Sequence, residues 1–191
     1  FIQNAHLYQD QLTRQQWNDL ITFEGNANAL RLLTQQLTGK REGGFRLSYP
    51  TLASIVKYPW ESGKQGKKKM GFFQSEKEWY KEVAKSLGLF QTDYDHITFV
   101  RHPLVFLVEA ADDICYQIMD IEDAHKLNIL PYQQVEEMFL NLFTSKGDQE
   151  WYKRIRNTLK EVTDENERVA FLRAVSIGKL TNECSVQFKD N

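Results

Sequence analysis

EAADDICYQIMDIED, residues 109–123, lies at the centre of the longest helical pattern in this 191-residue chain. Proline is favoured in the first turn of a helix, so Pro103 and the apolar spacing after it predict one helix over about residues 103 to 127. No Lys or Arg lies in the quoted stretch, and five of its six acids share a helical sector of about 100° with a tyrosine: Glu109, Asp112, Asp113, Tyr116, Asp120 and Asp123. Apart from Gln117 and Glu122 the remaining circumference is apolar, so we expect this helix to be buried among others.

The rest of the chain is also helical in pattern. Further helices are predicted over about residues 12–37 (with an interruption near Gly25), 50–58, 75–88, 131–143, 148–161 and 164–185. Ser75 with Glu78 matches a capping box, and Gly88 follows the last turn of the same helix. Strands have room only as short pieces. We therefore predict an all-α fold forming a single helical unit over residues 1–191.

Composition limits the class of protein. A hydrophobic content of 41% is enough for a sizeable core, while a net charge of −2 gives no general affinity for nucleic acid. Cys115 and Cys184 stand far apart, which argues against a disulfide framework or a thiolate zinc site. No apolar run reaches the length of a membrane span. We expect a cytoplasmic protein without a membrane partner.

The acid stripe, defined as Glu109, Asp112, Asp113, Asp120 and Asp123, has two interpretations. The general pattern of amphipathic helices favours a solvated face. However, such faces usually include Lys or Arg four residues away, and adjacent carboxylates disfavour each other's ionisation unless a cation stabilises them. Carboxylate oxygens are ligands of hard divalent metals, so a metal beside an anionic substrate is the alternative.

Four ordered motifs resemble one family. VEAADDICYQIMDIEDA (108–124), FEGNANALRLL (23–33), TLASIVKYPW (51–60) and KKKMGFF (67–73) are similar to segments of bacterial deoxyguanosinetriphosphate triphosphohydrolases, members of the HD phosphohydrolase superfamily. The similarity covers most of residues 17–130. It implies an HD-domain-like helical bundle, of which this chain would be the central to C-terminal part.

The resemblance implies an activity and a set of residues. Family members split a deoxynucleoside triphosphate into the nucleoside and inorganic triphosphate with a divalent metal, Mn²⁺ or Mg²⁺. By the match, Asp112 is a metal ligand, Tyr116 lines the sugar pocket and Asp120 reaches the sugar 3′-hydroxyl.

Four upstream positions match residues that bind the substrate in the family. They are Asn26, Lys57, Tyr58 and Lys69, the last approaching the triphosphate, whose negative charge lysines can offset. For the lysines of residues 67–69, a solvated loop is an equal alternative on sequence alone. Met70 stands where the family commonly has proline.

The family's remaining metal ligands, a His and a His-Asp pair, and its catalytic His and Glu have no match in this chain. We expect them upstream of Phe1, so no catalytic residue is predicted here and the chain alone is expected to be inactive. Neither His6 nor His96 matches a ligand position. We predict that His102 is a helix cap or surface residue and that His125 points away from the acid stripe.

Two alternatives stay open beside a triphosphohydrolase. One is an HD-type phosphohydrolase acting on another nucleotide or phosphoester, and the other is a non-catalytic helical binding module. The resemblance further implies a homo-oligomer and possible binding of single-stranded DNA.

Overall fold

The structure, a computed structural model, describes residues 8–35, 44–64 and 66–190. These residues form eight α-helices and one two-stranded antiparallel sheet, which confirms the all-α class. The elements are α1 (Arg14–Ile21), α2 (Gly25–Thr34), α3 (Tyr49–Ile55), α4 (Lys77–Ser86), β1 (Gln91–Asp93), β2 (Thr98–Phe99), α5 (Leu104–Lys126), α6 (Tyr132–Leu140), α7 (Gln149–Glu161) and α8 (Glu165–Asp190).

The chain divides into two compact units, Phe1–Val108 and Glu109–Asn191, which we call unit 1 and unit 2. That both belong to one HD-type domain stays a prediction.

The interruption predicted near Gly25 separates α1 from α2. Thr13 and Gln16 form a capping box at the start of α1. The Glu24 carboxylate accepts a hydrogen bond from the Asn26 backbone N–H and so caps α2, with Gly25 as its first residue. The predicted extension to Leu37 lies outside the described residues.

Unit 1 packs α2, α3 and α4 around an apolar core. Its buried members are Leu30, Leu52, Val56, Phe72, Tyr80, Ala84 and Phe99, with a smaller cluster of Ala27, Met70 and Phe73. The capping box predicted for α4 is wrong: the helix begins at Lys77 after Glu76 and has no side-chain cap. Ser75 Oγ instead accepts a hydrogen bond from Arg31 of α2.

Unit 2 packs α6, α7, α8 and part of α5. Its core includes Ile118, Val135, Phe139, Ile155 and Leu172. Pro131 precedes α6, which ends at Leu140 and continues as a short 3-10 helix, Asn141–Phe143.

The expected burial of the long helix is wrong for this chain. Ile118 is buried, but Met119 is 50% exposed and Tyr116 is 66% exposed. Glu122 is 5% exposed and is held by Arg173 of α8, 2.5 Å away, and by Lys126, 3.0 Å away. Within the described chain the helix therefore buries Ile118 and Glu122 but leaves Tyr116 and Met119 exposed.

Candidate functional site

Three lysines and two aromatic rings of unit 1 gather into what we call the lysine–aromatic cluster: Lys57, Tyr58, Trp60, Lys67 and Lys69. The Lys57 and Lys69 ammonium groups lie 6.0 and 5.3 Å from the centre of the Tyr58 ring. The Lys67 ammonium lies 5.2 Å from the Trp60 ring, and the two rings are 5.5 Å apart. The predicted residues Lys57, Tyr58 and Lys69 are thus brought together, and Trp60 and Lys67 join them.

A glycine allows the two lysine-bearing segments to approach. The Gly71 backbone N–H donates to Trp60 O at 3.0 Å, and Trp60 Nε1 donates to Lys69 O at 2.6 Å. A Cβ at position 71 would lie 2.2 Å from Tyr58 O, so only glycine fits without a shift of the backbone. Met70, 1% exposed, anchors the same segment in the core.

A buried carboxylate follows the cluster directly in sequence. Glu61 is 2% exposed and accepts hydrogen bonds from Ile97 N, Gln74 Nε2 and Lys77 Nζ, each 2.8 Å long. Burial alone would raise the pKa of this carboxyl, but the bonds from Lys77, Gln74 and Ile97 together hold it below its usual value. Glu61 therefore joins the cluster to α4 and to the β1–β2 hairpin.

A second carboxylate, Asp19 of α1, lies in the same region. It accepts hydrogen bonds from Ser62 Oγ at 2.5 Å and from Gln74 N at 2.6 Å. Burial raises its pKa, those two bonds oppose the rise, and the charges of Glu76 and Glu61 add to it. Sequence analysis missed both Asp19 and Glu61, because their partners lie far along the chain.

Asn26 is tied to Glu24. Its side-chain Nδ2 donates to both Glu24 carboxylate oxygens, at 2.7 and 2.9 Å, in addition to the backbone bond that caps α2. Its amide nitrogen is therefore oriented by Glu24, a residue that the sequence prediction did not include.

The acid stripe of α5 lies in unit 2. Asp112, Asp113, Asp120 and Asp123 are exposed, as is Tyr116, while Glu109 is half-buried. Among the described residues, these four aspartate side chains form no hydrogen bond or ion pair. Both the solvated face and the ligand-binding face are compatible with this arrangement.

The structure gathers no complete metal site in the ranges it describes. No group of three His, Cys, Asp or Glu side chains there could hold an ion. The acid stripe lies in unit 2 and the lysine–aromatic cluster lies in unit 1.

Two histidine predictions are confirmed. His102 Nδ1 accepts a hydrogen bond from Leu104 N at 3.2 Å and caps α5. The His125 ring lies 3.3 Å from Leu130 O and packs edge-on against Tyr132, which is buried in the core of unit 2.

Cys115 and Cys184 are both free thiols. Within the described ranges, no helix combines the length and apolar character that crossing a membrane requires.

Known proteins match the chain over nearly its whole length. A deoxyguanosinetriphosphate triphosphohydrolase-like protein of Pseudomonas aeruginosa is 36% identical over 189 residues, which is 95% of this chain and 40% of that protein. One of the same name from Synechocystis is 36% identical over 183 residues, 91% of this chain and 39% of that protein. A deoxyguanosinetriphosphate triphosphohydrolase of Yersinia enterocolitica is 29% identical over 191 residues, 91% of this chain and 35% of that protein. The chain thus spans about two fifths of the length of these relatives. No protein-family model matches it.

Proposed function

Because this chain belongs to the deoxyguanosinetriphosphate triphosphohydrolase and triphosphohydrolase-like family, we propose that it is part of an enzyme that hydrolyses dGTP and other dNTPs. The reaction breaks the bond between the α-phosphorus and the sugar O5′, and the oxygen of water ends on the released triphosphate. The observation that carries the proposal is the similarity along the whole chain to proteins of that name.

The lysine–aromatic cluster supports a triphosphate-binding role for unit 1. Several like charges close together repel one another, and a polyanion relieves that repulsion. Lys57 and Lys69, whose ammonium groups both lie near the Tyr58 ring, would supply the countercharge, and Asn26 would contact the same substrate. Lysine suits this role because its ammonium is a compact charge with three donors.

In unit 2, Asp112 would bind a divalent cation, Tyr116 would line the sugar pocket and Asp120 would accept a hydrogen bond from the sugar 3′-hydroxyl. The Asp112 carboxylate has the oxygen ligand that Mn²⁺ and Mg²⁺ prefer. The described residues do not complete the site, so Asp112 is proposed as one ligand only, with the others elsewhere in the polypeptide.

The test is hydrolysis of dGTP by the complete polypeptide with Mn²⁺ or Mg²⁺, with deoxyguanosine and triphosphate measured by ion-exchange chromatography. Removing a hydrogen-bond partner of a metal ligand lowers metal affinity or activity about 10-fold to 100-fold. Changing the ligand itself should have a larger effect, so Asp112→Asn should lower kcat/KM by about 100-fold or more. The matched control is Asp113→Asn, which changes the adjacent exposed carboxylate and should alter the rate by about twofold at most.

A substrate panel separates the alternatives. Hydrolysis of a nucleoside monophosphate or a cyclic nucleotide, without release of triphosphate from any dNTP, would favour another HD-type phosphohydrolase. Full activity in Asp112→Asn would reject that residue as a ligand. A homo-oligomer and binding of single-stranded DNA belong to the same proposal, and light scattering and a DNA titration would check them.

A further inference from the structure

Trp60 connects the two segments that carry the lysines. Its indole Nε1 donates to the Lys69 carbonyl at 2.6 Å, and its own carbonyl accepts the Gly71 N–H at 3.0 Å. The Lys67 ammonium lies 5.2 Å from its ring, within the range of a cation–π contact. One side chain therefore contacts the backbone of one lysine and the charge of another.

These contacts restrict groups that would otherwise move freely. An exposed lysine has many rotamers, and binding a ligand through it requires that freedom to be given up. The bond to Lys69 O fixes the backbone from which that side chain extends, and the ring limits the positions of Lys67. Both ammonium groups are thereby held near the Tyr58–Trp60 ring pair before any ligand arrives.

Lys68 provides an internal contrast. It is exposed, like its two neighbours. Among the described residues its side chain has no ring contact or ion pair. Charge alone would make the three consecutive lysines equivalent, whereas the geometry separates Lys67 and Lys69 from Lys68.

We propose that Trp60 is a positioning residue for the triphosphate-binding site, which it serves by holding Lys67 and Lys69 in place for an inorganic or nucleoside triphosphate. The proposal rests on the function proposed above and extends it to a residue that makes its contribution through the lysines. It assigns binding roles to Lys67 and Lys69 and none to Lys68.

The first experiment leaves Trp60 unchanged. Binding of inorganic triphosphate to the complete polypeptide is measured by calorimetry near 0.15 M salt, where charges more than about 8 Å apart are largely screened. Lys69→Met should weaken binding about tenfold or more, as expected for a charged hydrogen bond. Lys67→Met should weaken it about threefold or more, and the matched Lys68→Met less than about twofold.

The second experiment is a double-mutant cycle. Trp60→Phe removes the indole N–H but keeps a ring, and should weaken binding about threefold to tenfold. In the Lys69→Met background the same change should have less than about a twofold effect, because Trp60 would act through that lysine. A merely structural role predicts the same loss in both backgrounds. Trp151→Phe, the same change in unit 2, is the matched control and should leave binding unaltered.

The outcomes distinguish the two proposals. Absence of salt-sensitive triphosphate binding in the unmutated protein would overturn the proposed function and this inference with it. Binding that Lys69→Met weakens and Trp60→Phe does not would overturn the role of Trp60 alone. Equal losses for Lys67→Met and Lys68→Met, or an additive cycle, would also reject the positioning role.

Discussion

Replacing Glu61 with glutamine tests what supports the lysine–aromatic cluster. The carboxylate is buried and accepts three hydrogen bonds, one from a charged lysine. The amide keeps the shape but has one acceptor oxygen, and its NH₂ group would face donors. At least one donor therefore loses its partner.

The expected loss follows from these contacts. Breaking a buried ion pair costs about 3–5 kcal/mol, and losing a hydrogen bond to a charged group costs about 1.5–3 kcal/mol. The Lys77 side chain is 21% exposed and keeps some hydration, so the lower end of the range for a buried ion pair applies. We expect Glu61→Gln to lower the free energy of unfolding of unit 1 by about 3 kcal/mol.

The assay must observe unit 1 alone. The chain has four tryptophans, three of which lie in unit 1, so a Trp151→Phe background confines the fluorescence signal to that unit. Urea unfolding is then compared between Glu61→Gln and Glu78→Gln. Glu78 makes the same kind of ion pair, with Lys81, but its side chain is 80% exposed, so its loss should cost less than about 1 kcal/mol. If the two variants lose the same stability, the buried network does not support unit 1.

Three further outcomes are expected. The pKa of Glu61 is lowered, so the stability that its charge contributes is present above the ordinary value of 4.5 and is lost as the pH falls through the lower value of the folded state. The pKa of Asp19 is raised, so its protonation changes the stability in the opposite sense. Acid titration of unfolding should therefore show a smaller loss below about pH 4.5 in Glu61→Gln than in the unmutated chain. Glu122→Gln should cost about 2 kcal/mol by urea unfolding followed by circular dichroism, while removing its half-exposed partner with Lys126→Met should cost about 0.5 kcal/mol. Tyr80→Phe should be neutral or stabilising by up to about 1 kcal/mol in thermal unfolding, since its buried hydroxyl has no hydrogen-bond partner among the described residues.

Local sequence rules predicted most of the helices, because the helical spacing of apolar residues and the positions of prolines and glycines influence only the few residues around them. Gly88, with φ of 67°, follows α4 as expected, and Pro103 precedes α5. The same rules failed at Ser75, where the motif for a capping box was present. Arg31, 44 residues away, takes that hydroxyl, and a tertiary partner of this kind is invisible to a four-residue pattern.

In the candidate site, too, the sequence predicted some residues and missed others whose roles depend on tertiary contacts. The family motifs selected Lys57, Tyr58 and Lys69, which the structure brings together within unit 1. They did not select Trp60 as a link or Glu61 as a support, because neither role follows from residue type. The role of Trp60 depends on the close approach of residues 67–71 to residues 57–60, which Gly71 permits. The role of Glu61 depends on donors at Gln74, Lys77 and Ile97, which lie 13 to 36 residues away.

The acid stripe shows where helical geometry stops being informative. Periodicity correctly places Asp112, Asp113 and Asp120 on one face, but it says nothing about what covers that face. Elsewhere on the same helix, Glu122 is buried and forms ion pairs with Lys126 and Arg173. Among the described residues, no Lys or Arg side chain forms an ion pair with Asp112, Asp113 or Asp120. Water screens exposed charges only in part at this spacing, so like carboxylates on one face still repel. A bound cation would relieve that repulsion. If Asp112 is its ligand, Asp112→Asn should lower activity far more than Asp113→Asn, whereas two merely solvated acids should respond alike.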